Sequence, residues 1–299
     1  MLLQVGIAIK QDLDYNMPKQ DPRTIIDIDS DTTLSKKHLI PKPVVKVKPP
    51  FDIPKYHWVR DKIDTRDHPY QLTGATQSNI VDLRQYCSTI EDQGNLGSCT
   101  GNAIAGAIEL LHKRQNRTLD ISRLFIYYYE RMLIGTVNYD SGAYIRDGIK
   151  ACYTYGAPTE NLWPYNISKF KTVPPKTAIA DAAKRKVTSY QRAIDFNAVI
   201  DAITSGYPVT IGFNVYSSFA SSAVAKTGIM PYPNTSKEQL LGGHAVLIVG
   251  YNKNNNTFIV RNSWGTRWGD QGYFYMPFQV IQNTKMSSDF WVIKSISNP

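Results

Sequence analysis

Apolar positions along the chain change their spacing near residue 195. From 99 to about 115 they recur at helical intervals. Ala103, Ala107 and Leu111 fall four apart with Ile104 and Ile108 beside them, which makes a single apolar stripe. Gly94, Gly97 and Ser98 just upstream permit a tight turn into that helix. A second helix is predicted over 122–132, where Leu124, Tyr127, Tyr128 and Arg131 keep helical spacing, and a third over 144–152, stopped by Gly156 and Pro158. After a short helix over 196–205 the pattern becomes one of brief β-branched and aromatic runs. Segments 208–213, 245–251, 257–261, 272–275 and 290–293 read as strands, with Asn252 to Asn256 as a turn between two of them. A helical half followed by a β half predicts an α+β fold, and the interface between such halves is a common place for an active site.

Residues 1–78 have another character. Prolines stand at 41, 43, 49, 50 and 54. Proline fixes φ and removes an amide donor, so this stretch favours extended or polyproline II backbone and is poor material for a packed core. It reads as a linker or as a strand laid along another surface. The opening residues Leu2 to Ile9 are apolar but short, lack a basic region before them and are followed by Lys10-Gln11-Asp12 rather than a small-residue cleavage site, so they read as a strand or buried leader and not as a signal peptide.

Composition narrows the class. The chain has 299 residues, 42% of them hydrophobic and 20% charged, as expected of a soluble globular protein of one large or two small domains. No apolar run approaches the roughly 18 residues that span a bilayer. The net charge is +9, but the cations are spread along the whole chain and no nucleic-acid motif accompanies them, so they read as solvated surface and no nucleic-acid partner is expected. Cys87, Cys99 and Cys152 show no ligand-pair spacing with histidine, so no metal and no cofactor is expected. If Cys99 is a free nucleophile, one disulfide at most, Cys87–Cys152, can form. So few cysteines point to a reducing compartment or a virus particle rather than to secretion. The Asn-x-Ser/Thr sites at 116, 166, 234 and 255 then read as chance matches.

The candidate chemistry lies in three separated stretches. Gln93-Gly94-Asn95-Leu96-Gly97-Ser98-Cys99 ends in a cysteine that opens the first helix. The thiolate is the nucleophile, and about half a positive charge at a helix N-terminus stabilises it. Gly242-Gly243-His244-Ala245 places an imidazole at the start of an apolar strand, able to pair with the thiolate as imidazolium. Asn262, in Arg261-Asn262-Ser263-Trp264-Gly265, follows the next strand, and its amide oxygen can hold the second ring nitrogen. Gln93 can offer its side-chain amide to a developing oxyanion, with the Cys99 N–H as the other donor.

Gln93-x5-Cys99, Gly243-His244-Ala245 and Asn262-Ser263-Trp264-Gly265-x2-Trp268-Gly269 together resemble the papain/cathepsin family of cysteine peptidases, over roughly residues 80–299. Tyr153 to Tyr165, with Gly156, Glu160 and Trp163-Pro164-Tyr165, resembles the family's inter-domain segment. Trp58 to Tyr70 with Val81-Asp82-Leu83-Arg84 resembles the lead-in of its bacterial and large-DNA-virus branches. The resemblance implies a papain-like α+β fold: a helical domain over about 88–195, an antiparallel β-barrel-like domain over about 196–299, and the active site in the cleft between them. It implies that residues 1–78 form an inhibitory proregion and 79–299 the peptidase. It makes Cys99 the nucleophile, His244 the acid/base, Asn262 the orienting residue and Gln93 the oxyanion donor. Trp264 would shield the Asn262–His244 bond, and Ser141, Gly142 and Gly243 would line the substrate strand. Polypeptides are then the substrates, and the leader is an intramolecular inhibitor. Three departures stand out. Leu96 replaces a disulfide cysteine, Thr100 replaces the aromatic residue after the nucleophile, and no histidine lies between His112 and His244, so the double-histidine loop of the dipeptidyl carboxypeptidase branch is missing. A catalytically silent papain-fold binding protein and a non-peptidase thiol acyltransferase or amidase are the alternatives.

Overall fold

The computed structural model describes residues 56–297. The proline-rich stretch from Pro41 to Pro54 and the apolar opening lie outside the described residues. Among the described residues seven α-helices and seven strands follow in the order β1 (Ile80–Asp82), α1 (Cys99–Arg114), α2 (Arg123–Leu133), α3 (Ile145–Thr154), α4 (Lys176–Ala182), β2 (Val187–Ala193), α5 (Phe196–Thr204), β3 (Val209–Tyr216), α6 (Ser222–Thr227), β4 (Leu240–Asn252), β5 (Thr257–Arg261), β6 (Tyr273–Pro277), α7 (Phe278–Gln282) and β7 (Ser287–Ile296). The three predicted helices of the first half are present within a residue or two of their expected ends.

All strand pairs are antiparallel, in the order β2-β7-β3-β4-β5-β6, with β1 pairing β4 off that path. The pattern in β4 explains how the sheet is covered. Ala245, Leu247 and Val249 pack into one core with Ile104, Ile108 and Trp291, whereas Val246 and Ile248 pack into another with Val199, Ile203 and Phe213. A strand buried on both faces reads as a continuous apolar run, because its period-two alternation has no polar side to show. Helix α1 lies against the first face and is buried from Cys99 to His112. Its small residues also allow close approach to α2, since a Cβ on Gly101 would stand 2.9 Å from the Arg123 carbonyl oxygen. A third core gathers Leu124, Phe125, Tyr128 and Trp163 around α2, whose N-cap Ser122 accepts from the Phe125 amide.

Two strands escape the sequence reading. β1 has three residues, and β2, Val-Thr-Ser-Tyr-Gln-Arg-Ala, has little apolar signal because it is largely solvent-facing. β2 is capped on its free side by the segment before the sheet. The Arg192 amide donates to the His68 carbonyl and the Tyr70 amide donates back to Arg192, each at 2.8 Å. Residues 56–79 thus form a strap closed on the sheet. Asp61 is buried among the Asp289 carboxylate, the Trp291 indole N–H (2.7 Å) and the Arg146 amide. Asp67 bridges Arg146 (2.6 Å) and Arg192 (2.7 Å), and the Tyr70 hydroxyl donates to Asp201.

Candidate active site

Cys99 is the first residue of α1 and is fully buried. The loop before it is tied to the segment after β5. The Gln93 amide donates to the Ser263 carbonyl at 2.8 Å, the Ser263 hydroxyl donates to Gln93 Oε1 at 2.6 Å, and the Gly265 amide donates to the Glu91 carbonyl at 2.9 Å. Two motifs about 170 residues apart are therefore one hydrogen-bonded unit. Gln93 Nε2 donates one proton to the Leu96 carbonyl and keeps a second, which lets the side chain serve the turn and a ligand at once.

His244 lies in β4, beside Phe213 of β3. Its Nε2 meets Asn262 Oδ1 at 2.8 Å, and the Trp264 ring stacks on the imidazole at 4.8 Å between centroids. The His244 Nδ1 is buried without a hydrogen-bond partner among the described residues. The next residue, Ala245, presents its backbone amide to the Cys99 sulfur. His244, Asn262 and Trp264 are brought together, Gln93 is held beside Ser263, and Cys99 meets the histidine strand through the Ala245 amide.

The cleft is filled by the start of the strap. Tyr56 lies over His244 and Trp264, with ring centroids 6.2 and 6.0 Å away. The backbone of His57 faces Cys99, and its carbonyl and Cβ press on Gly142, where an added Cβ would stand 1.8 Å from the carbonyl oxygen. The Trp58 amide donates to the Gly243 carbonyl at 3.0 Å and the Val59 amide to the Ala143 carbonyl at 3.1 Å, both in parallel bridges. The rim acceptor on the helical side is therefore Ala143. Gly142, with φ +69°, supplies the turn and the space for His57, and the Ser141 hydroxyl points back to Thr136 and the Gly142 carbonyl.

Burial under this cover acts on both ionisable groups. It pushes the Cys99 thiol up to about 12, against the amides of Ala245 and His57, and the Glu130 carboxylate adds to the rise. It pushes the His244 imidazole down to about 4, partly offset by the Asn262 hydrogen bond. Burial thus disfavours the charged form of each group, against the thiolate–imidazolium pair that the motif implies, because a dry site penalises charge. Glu130, invisible to motif reading, is buried beside Thr100. It accepts from the Thr100 hydroxyl at 2.5 Å, and burial holds its carboxyl up near 8. Cys87, Cys99 and Cys152 are all free and buried.

A helix with a cysteine at its head, facing a buried antiparallel sheet that carries the histidine, is the architecture of a thiol-dependent hydrolase. The family model described as papain family cysteine protease matches residues 77–292, and this chain belongs to that family. It is 48% identical over 276 residues to an uncharacterized peptidase C1-like protein of Acanthamoeba polyphaga mimivirus, covering 82% of this chain and 88% of that one. It is 28% identical over 219 residues to a cathepsin L-like proteinase of Fasciola hepatica, covering 70% and 63% of the two chains. Among solved structures, xylellain, a cysteine protease from Xylella fastidiosa, is 37% identical with a TM-score of 0.76, covering 82% of this chain and 98% of that one. The protein is a papain-like cysteine protease. Among the described residues no helix is long and apolar enough to cross a membrane, and no cluster of three or more potential metal ligands occurs.

Proposed function

We propose that this protein is a cysteine endopeptidase made as a proenzyme, with residues 1–78 as leader and 79–299 as the peptidase, and that Tyr56 to Val59 hold the cleft shut. Cys99 attacks the substrate carbonyl, and His244 takes the thiol proton and returns it to the leaving amine. Asn262 orients the ring through Nε2, which leaves Nδ1 for the sulfur. Gln93 Nε2 and the Cys99 amide bind the developing oxyanion. Trp264 shields the Asn262–His244 bond. The observation that carries the reading is the His244–Asn262 hydrogen bond of 2.8 Å beside a cysteine at a helix N-terminus.

The strap's direction supports its inhibitory role. It runs parallel to both rims, through His57 with Gly243 and Trp58 with Ala143. The His57 backbone amide serves the sulfur while its carbonyl is turned to Gly142. The nucleophile thus faces a donor instead of an electrophilic carbon, so the bound strap is not cleaved from this pose. Leaving the cleft rehydrates Cys99 and His244, and the charge pair then becomes the favoured state.

The test is peptide hydrolysis, and labelling of Cys99 by an epoxide-type inhibitor, before and after limited proteolysis with N-terminal sequencing of the product. Both rates are expected to rise as the chain is cut within the strap. An intact chain that labels and hydrolyses as fast as the cut one overturns the inhibitory reading. A cut chain whose Cys99 does not label favours the silent binding protein.

A further inference from the structure

The segment Trp163-Pro164-Tyr165 ends in a tyrosine that the chemistry above does not use. Its ring is partly buried beside α2, and its hydroxyl reaches the loop before Cys99. The Tyr165 hydroxyl donates its one proton to the Gln93 carbonyl at 2.9 Å. The Ser98 hydroxyl lies 2.5 Å from the same oxygen and is therefore the donor of that pair. Ser98 in turn accepts from the Asn102 side-chain amide, through its carbonyl at 2.9 Å and its hydroxyl at 3.1 Å. One tyrosine oxygen thus closes the loop 93–98 at both ends. The closure matters because Gly94, with φ +56°, and Gly97 give that loop little stiffness of its own. Tyr165 is itself held from two sides. The buried Arg123 guanidinium stacks on its ring at 4.1 Å and pairs with Glu91 at 2.9 Å and Glu160 at 3.6 Å, and the Tyr165 amide donates to the same Glu160 carboxylate.

On the functional reading above, in which Gln93 Nε2 and the Cys99 amide bind the oxyanion, we propose that Tyr165 is a positioning residue whose hydroxyl sets the spacing of those two donors. The two residues it joins are Gln93 itself and the neighbour bonded to Cys99, and Gln93 is pinned by Ser263 from the sheet side and by Tyr165 from the helical side. An oxyanion donor stabilises charge in full only when it already points at the place the charged oxygen takes up, so a loop whose stem is unfastened gives up part of that effect. The oxygen carries its charge in the transition state and not in the bound peptide. The loss therefore falls on kcat and leaves KM alone.

The experiment makes the full chain as parent, Tyr165→Phe, Ser98→Ala, Gln93→Ala and Gln93→Ala/Tyr165→Phe, and opens each by the same limited proteolysis. Tyr165→Phe keeps the ring under Arg123 and removes only the hydroxyl. Three quantities are read: kcat and KM for a peptide, the affinity of a peptide aldehyde, and the rate at which iodoacetamide alkylates Cys99. The aldehyde takes the Cys99 sulfur at its carbonyl carbon while the thiol proton passes to the oxygen, which puts a tetrahedral oxygen between the donors without turnover. Alkylation displaces iodide and puts none there. Tyr165→Phe is expected to lower kcat and aldehyde affinity by at least roughly tenfold, below the hundredfold or more of a donor removed outright, with KM and the alkylation rate within about twofold of the parent. The double variant is expected to lose less than the product of the two single losses, because both act on one donor pair. Parental kcat and aldehyde affinity in Tyr165→Phe overturn the assignment, as does a fall in which alkylation drops by the same factor. Should Tyr165→Phe fail to fold, Ser98→Ala cuts the other arm and must show the same split between aldehyde and iodoacetamide, and a uniform loss there overturns the assignment too. A parent that hydrolyses no peptide, yet binds the aldehyde more tightly than Tyr165→Phe does, supports the positioning role and overturns the endopeptidase reading instead.

Discussion

The two ends of the strap touch the same domain by different physics. At the cleft end, Tyr56 to Val59 are held by aromatic burial and two backbone hydrogen bonds, with no ion pair among the described contacts. At the anchor end, Asp61 and Asp67 are held by Asp289, Arg146, Arg192 and the Trp291 indole. Apolar burial hardly responds to pH, whereas a carboxyl group seated beside another carboxyl responds strongly. The same segment can thus be opened by competition at one end and by proton release at the other.

The most severe change leaves the strap alone. Cys99→Ala is expected to lower peptide turnover by a thousandfold or more, and His244→Ala by as much, since residues that act as one unit fail together. Steady-state hydrolysis by the proteolytically opened chain measures both, and substantial turnover in either variant contradicts the assigned chemistry.

Trp58→Ala breaks the cleft end. Removing a buried tryptophan costs about 3–5 kcal/mol of local packing. Docking is expected to loosen enough to raise the rate of epoxide labelling of the uncut chain by roughly a hundredfold. A rate equal to that of the parent would show that the anchor end alone keeps the cleft closed.

The anchor end sharpens the contrast through pH. Burial first, then the charge of Asp289, pushes the Asp61 carboxyl up to about 7 from an ordinary 3.8, against the Trp291 and Arg146 hydrogen bonds. Asp289 is also raised by burial, with Arg192 and Arg60 opposing. The docked strap therefore keeps a proton that the released strap gives up. Docking is strongest below the free value near 3.8, weakens as pH rises from about 4 to about 7, and changes little above that. Amide hydrogen exchange over residues 57–61, corrected for intrinsic rates, should show less protection at pH 8 than at pH 5. Asp61→Asn should flatten the difference, and a profile that Asp61→Asn leaves untouched would refute the origin.

The smallest effect is expected from Asp67→Asn. Its two arginine partners are partly exposed, 16% for Arg146 and 23% for Arg192, so screening leaves about 1 kcal/mol. A fall in Tm of a few degrees, with pH dependence of docking retained, is the expected result in thermal denaturation. A loss as large as that of Trp58→Ala would mean that the ionic end dominates.

What could be read from the chain follows from the range of each signal. Helix α1 and its cysteine are local, encoded within some twenty residues by spacing and a glycine turn, and they stand where expected. β4 was foreseen only as 245–251 yet runs Leu240–Asn252, because its first residues, including two glycines, carry no strand signal and are held by pairing with β3. β2 was missed because its support comes from β7 and from His68 to Tyr70. The motif puts Ser141 and Gly142 on the substrate rim; the carbonyl that the Val59 amide meets there is that of Ala143, and the backbone turns at Gly142.

By itself, the sequence determined the α+β order of elements, the family, and the candidate residues Gln93, Cys99, His244 and Asn262, because each lies in a short motif whose meaning does not depend on distant neighbours. Tertiary structure alone decided that Trp58 fills a slot over Gly212, that Glu130 stands behind Thr100, and that Asp61 meets Asp289 across 228 residues of chain. It also decided how strongly burial disfavours charge on the reactive pair. Whether Cys99 and His244 are ionised depends on what excludes water from them, and here that is a segment joined to them only by folding.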